Sequence, residues 1–416
     1  MASLKKRADF GPRAYLAMKG KLPNIFPRVM GPNAEKYLRE VAESGLTSDM
    51  PERFEKAFAE ALGVRHCIAT PGCTAALAAL AAAFGFEPGD EIIVSPITDF
   101  GTIQGLLREN YIPVFPDTEA GGLNFSARTI EPRLTDRTRA ILVVHKAGIV
   151  CDMDPINALA AKRGLIVYED CCQALFSTYK GRYAGTLATA AAFSFDAEKT
   201  MGSDIGGCVV TQSDGLADLI RYRGQARGAY EDPEYGRVHT YPGYAYRMPL
   251  ATAAITLAQL EIARDNVARR DRLARRLTAL LADIPGITPL AIPDYMGVFS
   301  CWLIGFSLDP AAFRCGAAEF ARQAADEGIT GAGMGRYYLM PEACAFLRER
   351  AAGKIYPYSQ PPASRAYAYG PETCPNGYEF LKNFIRWNTF SEKYTDGDVD
   401  LAAEIVRRVA ERNARG

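Results

Sequence analysis

The segment RAILVVHKAGIVCDMDPINALAAKRGLIVYED, residues 139–170, decides the fold. Two runs of branched apolar residues, 140–144 and 165–168, enclose DPINALAAKRG, whose apolar spacing is helical and which stops at Gly164. Both runs are continuous rather than alternating, as strands buried on both faces should be. A strand, a helix and a second such strand make one parallel unit, because parallel neighbours need a crossover. The same rhythm extends in both directions. RHCIAT (65–70) precedes a helix from Thr74 to about Phe84, EIIVSP (91–96) precedes GTIQGLLREN (101–110), and IPVFPD (112–117) precedes a helix around SARTIEPRL (126–134). Beyond residue 170 come CCQALFST, the runs AAAFSF (190–195) and GCVVTQS (207–213), and a helical DGLADLIRYRG (214–224). Such alternation predicts an α/β protein, a parallel sheet with helices on both faces.

Either side of this body the texture differs. Residues to about Pro32 read as an irregular arm, followed by helices over 33–43 and from Ser48 or Asp49 to a stop at Gly63. A long helix spans 248–284 and is nearly all apolar in its first half. After Pro285 come a strand in CWLIGFSL (301–308), a helix in 317–328, a loop or strand in GITGAGMGRYYL (328–339), a Pro- and Tyr-rich loop over 355–375, a helix near Tyr378, a strand in FIRWNTF (384–390) and a last helix over 399–414. The expected division is an arm at 1–30, a large domain at 31–265 and a small C-terminal domain at 266–416, bridged by the helix 249–283. The Tyr-rich stretches from 337 to 370 are expected either to cover a site or to pack between the domains.

Composition narrows the function. The chain has 416 residues, 48 basic and 48 acidic, for a net charge of zero. That balance gives no support to nucleic-acid binding or to a basic membrane surface, and it directs attention to a small-molecule substrate. The ten cysteines include no Cys-x-x-Cys pair, and three histidines supply no zinc spacing, so no metal site is expected. The N-terminal MASLKKRADFGPR lacks an apolar run behind its charges and does not read as a signal peptide. Free thiols and no spanning segment fit a reducing cytoplasm.

In an open parallel sheet, ligands sit beyond the C-terminal ends of the strands. Four candidate loops fall there. In ATPGCTAAL (69–77), Gly72, Cys73 and the Thr74 hydroxyl at a helix start suit a phosphate, or are a plain cap. In VYEDCCQA, Asp170 at a strand end, with Gln173 three residues on, suits a protonated ring nitrogen, or caps a following helix. In FSFDAEKT (193–200), Ser194 offers a hydroxyl and Lys199 an amine that a desolvated crevice would render nucleophilic; a surface lysine is the plain alternative. In YPGYAYRMPL (241–250), Tyr246 and Arg247 precede the long helix, or form a solvated turn. His145, at another strand end, is either catalytic or hydrogen-bonded structure. Phosphate donors, a ring-nitrogen acid and an imine-forming lysine are together what pyridoxal phosphate requires.

The chain resembles the DegT/DnrJ/StrS family of pyridoxal-phosphate-dependent sugar aminotransferases, fold type I. The resemblance runs from about Gly45 to Ile405 and is carried by GCTAALAAL, EPGDEIIVSPIT, YIPVFPDTE, RTRAILVVH, CDMDPINALAAKRGLIVYEDCCQA, the block 179–211 and GYAYRMPLATAAITLAQLE. It implies a mostly parallel seven-stranded sheet in a large domain and a smaller C-terminal α/β domain. It further implies that Lys199 forms the internal aldimine, that Asp170 pairs with the pyridine nitrogen, and that Gln173 lies near the phenolic oxygen. Ser194, Thr74 and the backbone of Gly72 and Cys73 would hold the phosphate. Tyr246 and Arg247 would reach a neighbouring subunit's site in a homodimer, with His145 near the substrate. The reaction implied is ping-pong transfer from glutamate or glutamine to a ketosugar, nucleotide-linked, or to a keto-cyclitol.

Several positions depart from the family's pattern. Cys73 replaces a glycine. Asp99 stands where an aromatic usually stacks on the cofactor, leaving either Phe100 to shift into that role or the ring face to be differently covered. Ala245 replaces an asparagine, SDIGG replaces Gly-Glu-Gly-Gly, and HKAG replaces His-Leu-Tyr-Gly, putting Lys146 by the site. Three alternatives stand beside an aminotransferase. A sugar dehydratase of this fold would carry histidine in place of the lysine. A nicotinamide oxidoreductase would have only GAGMGR (331–336) as its glycine-rich loop, away from the first strand. A non-catalytic regulatory protein could dispense with Lys199 or Asp170.

Overall fold

The computed structural model describes residues 21–227, 230–329, 332–334 and 337–415. The opening twenty residues of the expected arm, and Gly331, Gly335 and Arg336 of GAGMGR, lie outside these. The seven apolar runs form seven strands: β1 (His66–Thr70), β2 (Glu91–Val94), β3 (Ile112–Val114), β4 (Thr138–Val144), β5 (Ile166–Asp170), β6 (Ala190–Ser194) and β7 (Gly207–Thr211). They make one sheet in the order β1-β7-β6-β5-β4-β2-β3. Neighbours from β3 through β6 pair in parallel, whereas β7 is antiparallel to both β1 and β6. Uniform alternation would have made β7 parallel too. No helix separates residues 194 and 207, so the chain has no crossover there and must turn straight back.

Helices cover the sheet. They include α1 (Ala34–Glu43), α2 (Met50–Leu62), α3 (Cys73–Phe84), α4 (Gly101–Arg108) and α5 (Met153–Arg163). Gly63 and Gly164, read as stops, both adopt the left-handed conformation that ends a helix. Nearly every residue of α3 is buried, and its all-apolar sequence accounts for that placement. Residues 171–177, by contrast, form turns and no helix.

The long helix α6 (Leu250–Ala282) runs from the large sheet to the C-terminal part. Near its start, Gln259 accepts from Gly31 N at 2.7 Å and Glu261 from Tyr37 Oη at 2.6 Å. Further along, Arg272 and Arg276 pair with Asp396 and Asp400 of α7 (Asp396–Asn413). Arg270, almost wholly buried, donates Nε to Glu392 at 2.6 Å and Nη1 to Cys301 O at 3.1 Å. A buried cation needs such partners, since removing one from a buried pair costs about 3–5 kcal/mol. The C-terminal sheet is antiparallel throughout. It comprises β8 (Ile287–Pro289), β9 (Ile304–Leu308), β10 (Ala332–Met334) and β11 (Phe384–Trp387), ordered β8-β9-β11-β10.

The Tyr-rich stretches divide between the two expected roles. Tyr367 Oη and Arg365 Nε both donate to Glu91 at the buried start of β2, at 2.6 and 3.0 Å, and Tyr369 Oη donates to Pro113 O. That part fastens the chain to the end of the sheet remote from the strand C-termini. Tyr337 and Tyr338 instead line the cavity described next. Among the described residues, no helix is long and apolar enough to cross a membrane.

Candidate active site

A cavity of about 940 Å³ opens at the C-terminal ends of the parallel strands and reaches the C-terminal sheet. Gly72, Cys73, Thr74, Asp170, Gln173, Ser194, Lys199 and Tyr246 all line it, so four loops distant in sequence converge on one space.

The anion-seeking wall is the start of α3. The first turn of a helix has backbone N–H groups with no helical acceptor, and the aligned peptide dipoles favour negative charge there. Ala76 N closes the first helical bond, to Gly72 O at 3.0 Å, which leaves the N–H groups of 73–75 on the cavity side. β7 is pressed against this turn. A Cβ at Gly207 would lie 2.5 Å from Cys73 N, so only glycine fits. Gly72 also bridges to Gly206, and Ser194 stands opposite Gly207 in the β6–β7 register. The sheet thereby delivers the Ser194 hydroxyl beside the helix terminus.

Asp170 ends β5 and is almost wholly buried. Its Oδ2 accepts from Thr102 Oγ1 at 2.8 Å, and its Oδ1 from Cys172 N at 3.0 Å. With no helix following, the carboxylate caps nothing; it closes its own turn and faces the cavity. One carboxylate oxygen of Asp170 and the sulfurs of Cys73 and Cys172 lie within 4.8 Å of one another, so the α3 start and the acid loop meet. Burial pushes both thiols above their ordinary pKa.

Lys199 stands in the connection 195–206, which is fastened through its backbone. Phe195 is buried between Phe54 and Phe58, with ring centres 5.3 Å from each. Lys199 N donates to Asp196 O at 2.8 Å. Arg28 donates to Ala197 O at 3.2 Å and to Thr200 O at 2.8 Å, and Trp302 Nε1 donates to Glu198 O at 3.2 Å. The Lys199 amine lies 4.4 Å from the centre of the Trp302 ring. Burial, and next the charge of Arg270, lower the Arg28 pKa to about 10, which still leaves it protonated at neutral pH. Hydrogen bonds from a charged donor contribute about 1.5–3 kcal/mol each. Arg28→Met should therefore lower turnover by about tenfold, equivalent to about 1.4 kcal/mol, with Arg28→Lys intermediate. Steady-state kinetics on the two variants check this, and unchanged rates in Arg28→Met would show that the clamp does not position Lys199.

Gln173 Oε1 accepts from Ala147 N at 2.7 Å, and Nε2 donates to Tyr337 Oη at 3.4 Å. Tyr246 stacks on Tyr244 with ring centres 4.7 Å apart and lines this chain's own cavity.

Three sequence candidates do not line the cavity. His145 is fully buried behind β4: its Nδ1 accepts from Cys151 N at 3.2 Å, which places the proton on Nε2 facing Glu169 Oε2 at 2.8 Å. Glu169 also accepts from Gly185 N and Leu187 N, so this histidine belongs to a closed hydrogen-bonded knot, the second of its two readings. Phe100 is 40% exposed, is already in helical conformation ahead of α4, and does not line the cavity that Asp99 lines. Arg247 is exposed to solvent.

The aromatic and polar groups that the sequence reading missed come from Thr102, Trp302, Arg386 and Asn388, while Tyr337 belongs to the Tyr-rich stretch expected to cover a site or to pack between the domains. Trp302 carried a signal, being one of two tryptophans in the chain. It precedes β9 rather than belonging to it, at a bend where Cys301 has φ of 47°.

Residues 29–343 match the model of the DegT/DnrJ/EryC1/StrS aminotransferase family. The chain is 32% identical over 398 residues to the spore coat polysaccharide biosynthesis protein SpsC of Bacillus subtilis, covering 93% of this chain and 97% of that protein. It is 37% identical over 252 residues to a GDP-perosamine synthase of Caulobacter vibrioides, covering 59% and 66%. The fold is similar to the crystal structure of DesI in the presence of its TDP-sugar product, with a TM-score of 0.75, 25% identity and 96% of each chain covered.

Proposed function

The chain belongs to the DegT/DnrJ/EryC1/StrS aminotransferase family, and from that premise we propose that it uses pyridoxal 5'-phosphate to move an amino group from glutamate or glutamine to a ketosugar, nucleotide-linked, in two half-reactions; a keto-cyclitol is the other acceptor class. The observation that carries the reading is the convergence of a helix N-terminus, a buried carboxylate and a lysine amine on one cavity. The names of the relatives, a GDP-perosamine synthase and a protein crystallised with its TDP-sugar product, support a sugar nucleotide as acceptor.

The residues present fit the cofactor. The 73–75 backbone N–H groups, with the Thr74 and Ser194 hydroxyls, would hold its phosphate. Asp170, fixed by Thr102 and by Cys172 N, would hold its ring nitrogen protonated. Gln173 would sit beside its phenolic oxygen, and Trp302, rather than Phe100, supplies an aromatic wall. When bound, pyridoxal phosphate supplies a carbonyl for the amino group and a ring that withdraws electrons from the reacting carbon.

The chain's own residues do the rest. Lys199 Nζ would anchor the cofactor and, once freed, would carry away the proton released at the donor's α-carbon. The clamps from Arg28 and Trp302 keep that amine on the cavity wall while its bonding changes. Asp170 would act as the fixed counter-charge. The homodimer is also part of this proposal, with the exposed Arg247 offered to a partner's site.

The visible spectrum of the purified protein, recorded before and after glutamate or glutamine, tests the reading. A yellow band that bleaches with one of them is the expected result and identifies the donor. A protein that stays colourless after incubation with pyridoxal phosphate would overturn it.

A further inference from the structure

Lys146 is a buried amine that the reaction outlined above does not use. It occupies the single tight turn after β4, is 1% exposed, and its Nζ has no hydrogen-bond partner among the described residues. The amine lies 2.7 Å from the centre of the Tyr337 ring and 5.5 Å from that of Trp302, and both rings line the cavity. Trp302 is also the ring that Lys199 meets. The guanidinium of Arg386 stands 5.6 Å from the same Tyr337 ring; Arg386 lines the cavity, and its Nε too is buried without a partner. A buried lysine and an arginine with unmet donors thus face one ring. Buried polar groups in folded proteins are almost always satisfied, so this pair calls for an acceptor.

We propose that Lys146 and Arg386 form a subsite that takes a carboxylate of one of the two reactants. The proposal rests on the aminotransferase reading, which supplies the reactants. A carboxylate offers only acceptors and matches the planar fork of a guanidinium, whereas a neutral hydroxyl also brings a donor that neither cation can accept. The Tyr337 ring that covers the amine is held at its hydroxyl by a long bond, 3.4 Å from Gln173 Nε2, and can yield to the incoming group.

The electrostatics agree. Burial first, and the charge of Lys199 second, hold the Lys146 pKa well below the ordinary lysine value; Arg386 acts in the same direction, and Asp99 and Asp170 oppose. The native protein therefore binds fewer protons at this site than the unfolded chain does between that lowered pKa and the ordinary one. Stability in this window rises with pH. Lys146→Met should remove that slope and melt at a higher temperature than the parent at pH 7, the gain shrinking as pH approaches the ordinary lysine value.

The deciding experiment is calorimetric titration of the pyridoxal-phosphate-loaded protein at pH 7, with glutarate as a donor-type carboxylate and glucuronate as an acceptor-type one. One probe should bind, and Lys146→Met should lose about tenfold in affinity for it. Loss confined to glutarate assigns the carboxylate to the donor, and loss confined to glucuronate assigns it to the acceptor. Failure of both probes to bind, or parental affinity for both in the variant, would overturn the subsite. A lower melting temperature in Lys146→Met would overturn it too, because it would mean the amine is already satisfied. Failure of the aminotransferase reading is seen separately, as a spectrum that glutamate and glutamine leave unchanged in parent and variant alike.

Discussion

Lys199→Ala should be without measurable turnover, down by about 10⁴-fold or more, and should bind pyridoxal phosphate without developing the yellow band of the parent protein. A lysine that both anchors the cofactor and carries the proton cannot be replaced by water at either task, and positioned proton transfer alone contributes about 10²–10⁴-fold. The structure predicts that the loss is chemical rather than structural. The connection 195–206 is held at the carbonyls of 197, 198 and 200 and by the buried Phe195 ring, none of which involves the Lys199 side chain. Melting temperature should accordingly stay close to the parent's. Lys199→Arg should be as inactive, since a guanidinium keeps the charge but offers no free amine at neutral pH. Absorbance and single-turnover assays on the two variants check this, and turnover at even a hundredth of the parental rate in Lys199→Ala would remove the lysine from the reaction.

Asp170→Asn comes next in size. Two donors, Thr102 Oγ1 and Cys172 N, reach the two oxygens of this side chain. An amide has one acceptor oxygen, so the asparagine keeps Cys172 N only by turning its NH2 toward Thr102, whose hydroxyl must then accept rather than donate. More importantly, the amide brings no charge to hold a ring nitrogen protonated. Breaking a buried charge pair costs about 3–5 kcal/mol, and each 1.36 kcal/mol is tenfold in rate. Turnover should therefore fall by roughly a hundred- to several-thousand-fold, while the yellow band, which depends on Lys199, persists. The contrast between the two variants is the diagnostic: Lys199→Ala loses colour and rate, and Asp170→Asn loses rate alone. An Asp170→Asn variant within threefold of the parent would assign the carboxylate to the turn and not to the chemistry.

The order of strands and the four loops at their C-terminal ends were legible because both are local in sequence. Continuous apolar runs mark buried strands, Gly63 and Gly164 mark helix ends, and ligand loops in such a sheet always fall at one edge. The direction of β7 was not marked by its apolar residues, which read alike either way; only the missing helix between 194 and 207 settles it. Side-chain orientation was the least legible. His145 and Lys146 are adjacent after β4, yet the first turns into the Glu169 knot and the second toward Tyr337, because neighbouring residues in extended or tightly turned chain point to different sides. Trp302, Tyr337, Arg386 and Asn388 belong to the C-terminal part, and their arrival at a cavity built on the other sheet depends on how α6 spans the two. No local pattern encodes that distance.

The reversal of β7 has an entropic side. β6 and β7 are hydrogen-bonded neighbours, so the segment bearing Lys199 is a short closed loop whose ends are brought together by a hairpin-like pairing. Closing a loop costs more as its length grows, with the logarithm of the number of residues spanned. The other pieces of the cavity are delivered by far longer excursions: β1, which leads into the α3 start, pairs with nothing but β7 at the opposite end of the sheet-forming sequence. The Lys199 amine is thus set in place at small conformational cost by its immediate neighbours along the chain, whereas the start of α3 takes its place only once the two extremes of the sheet have met.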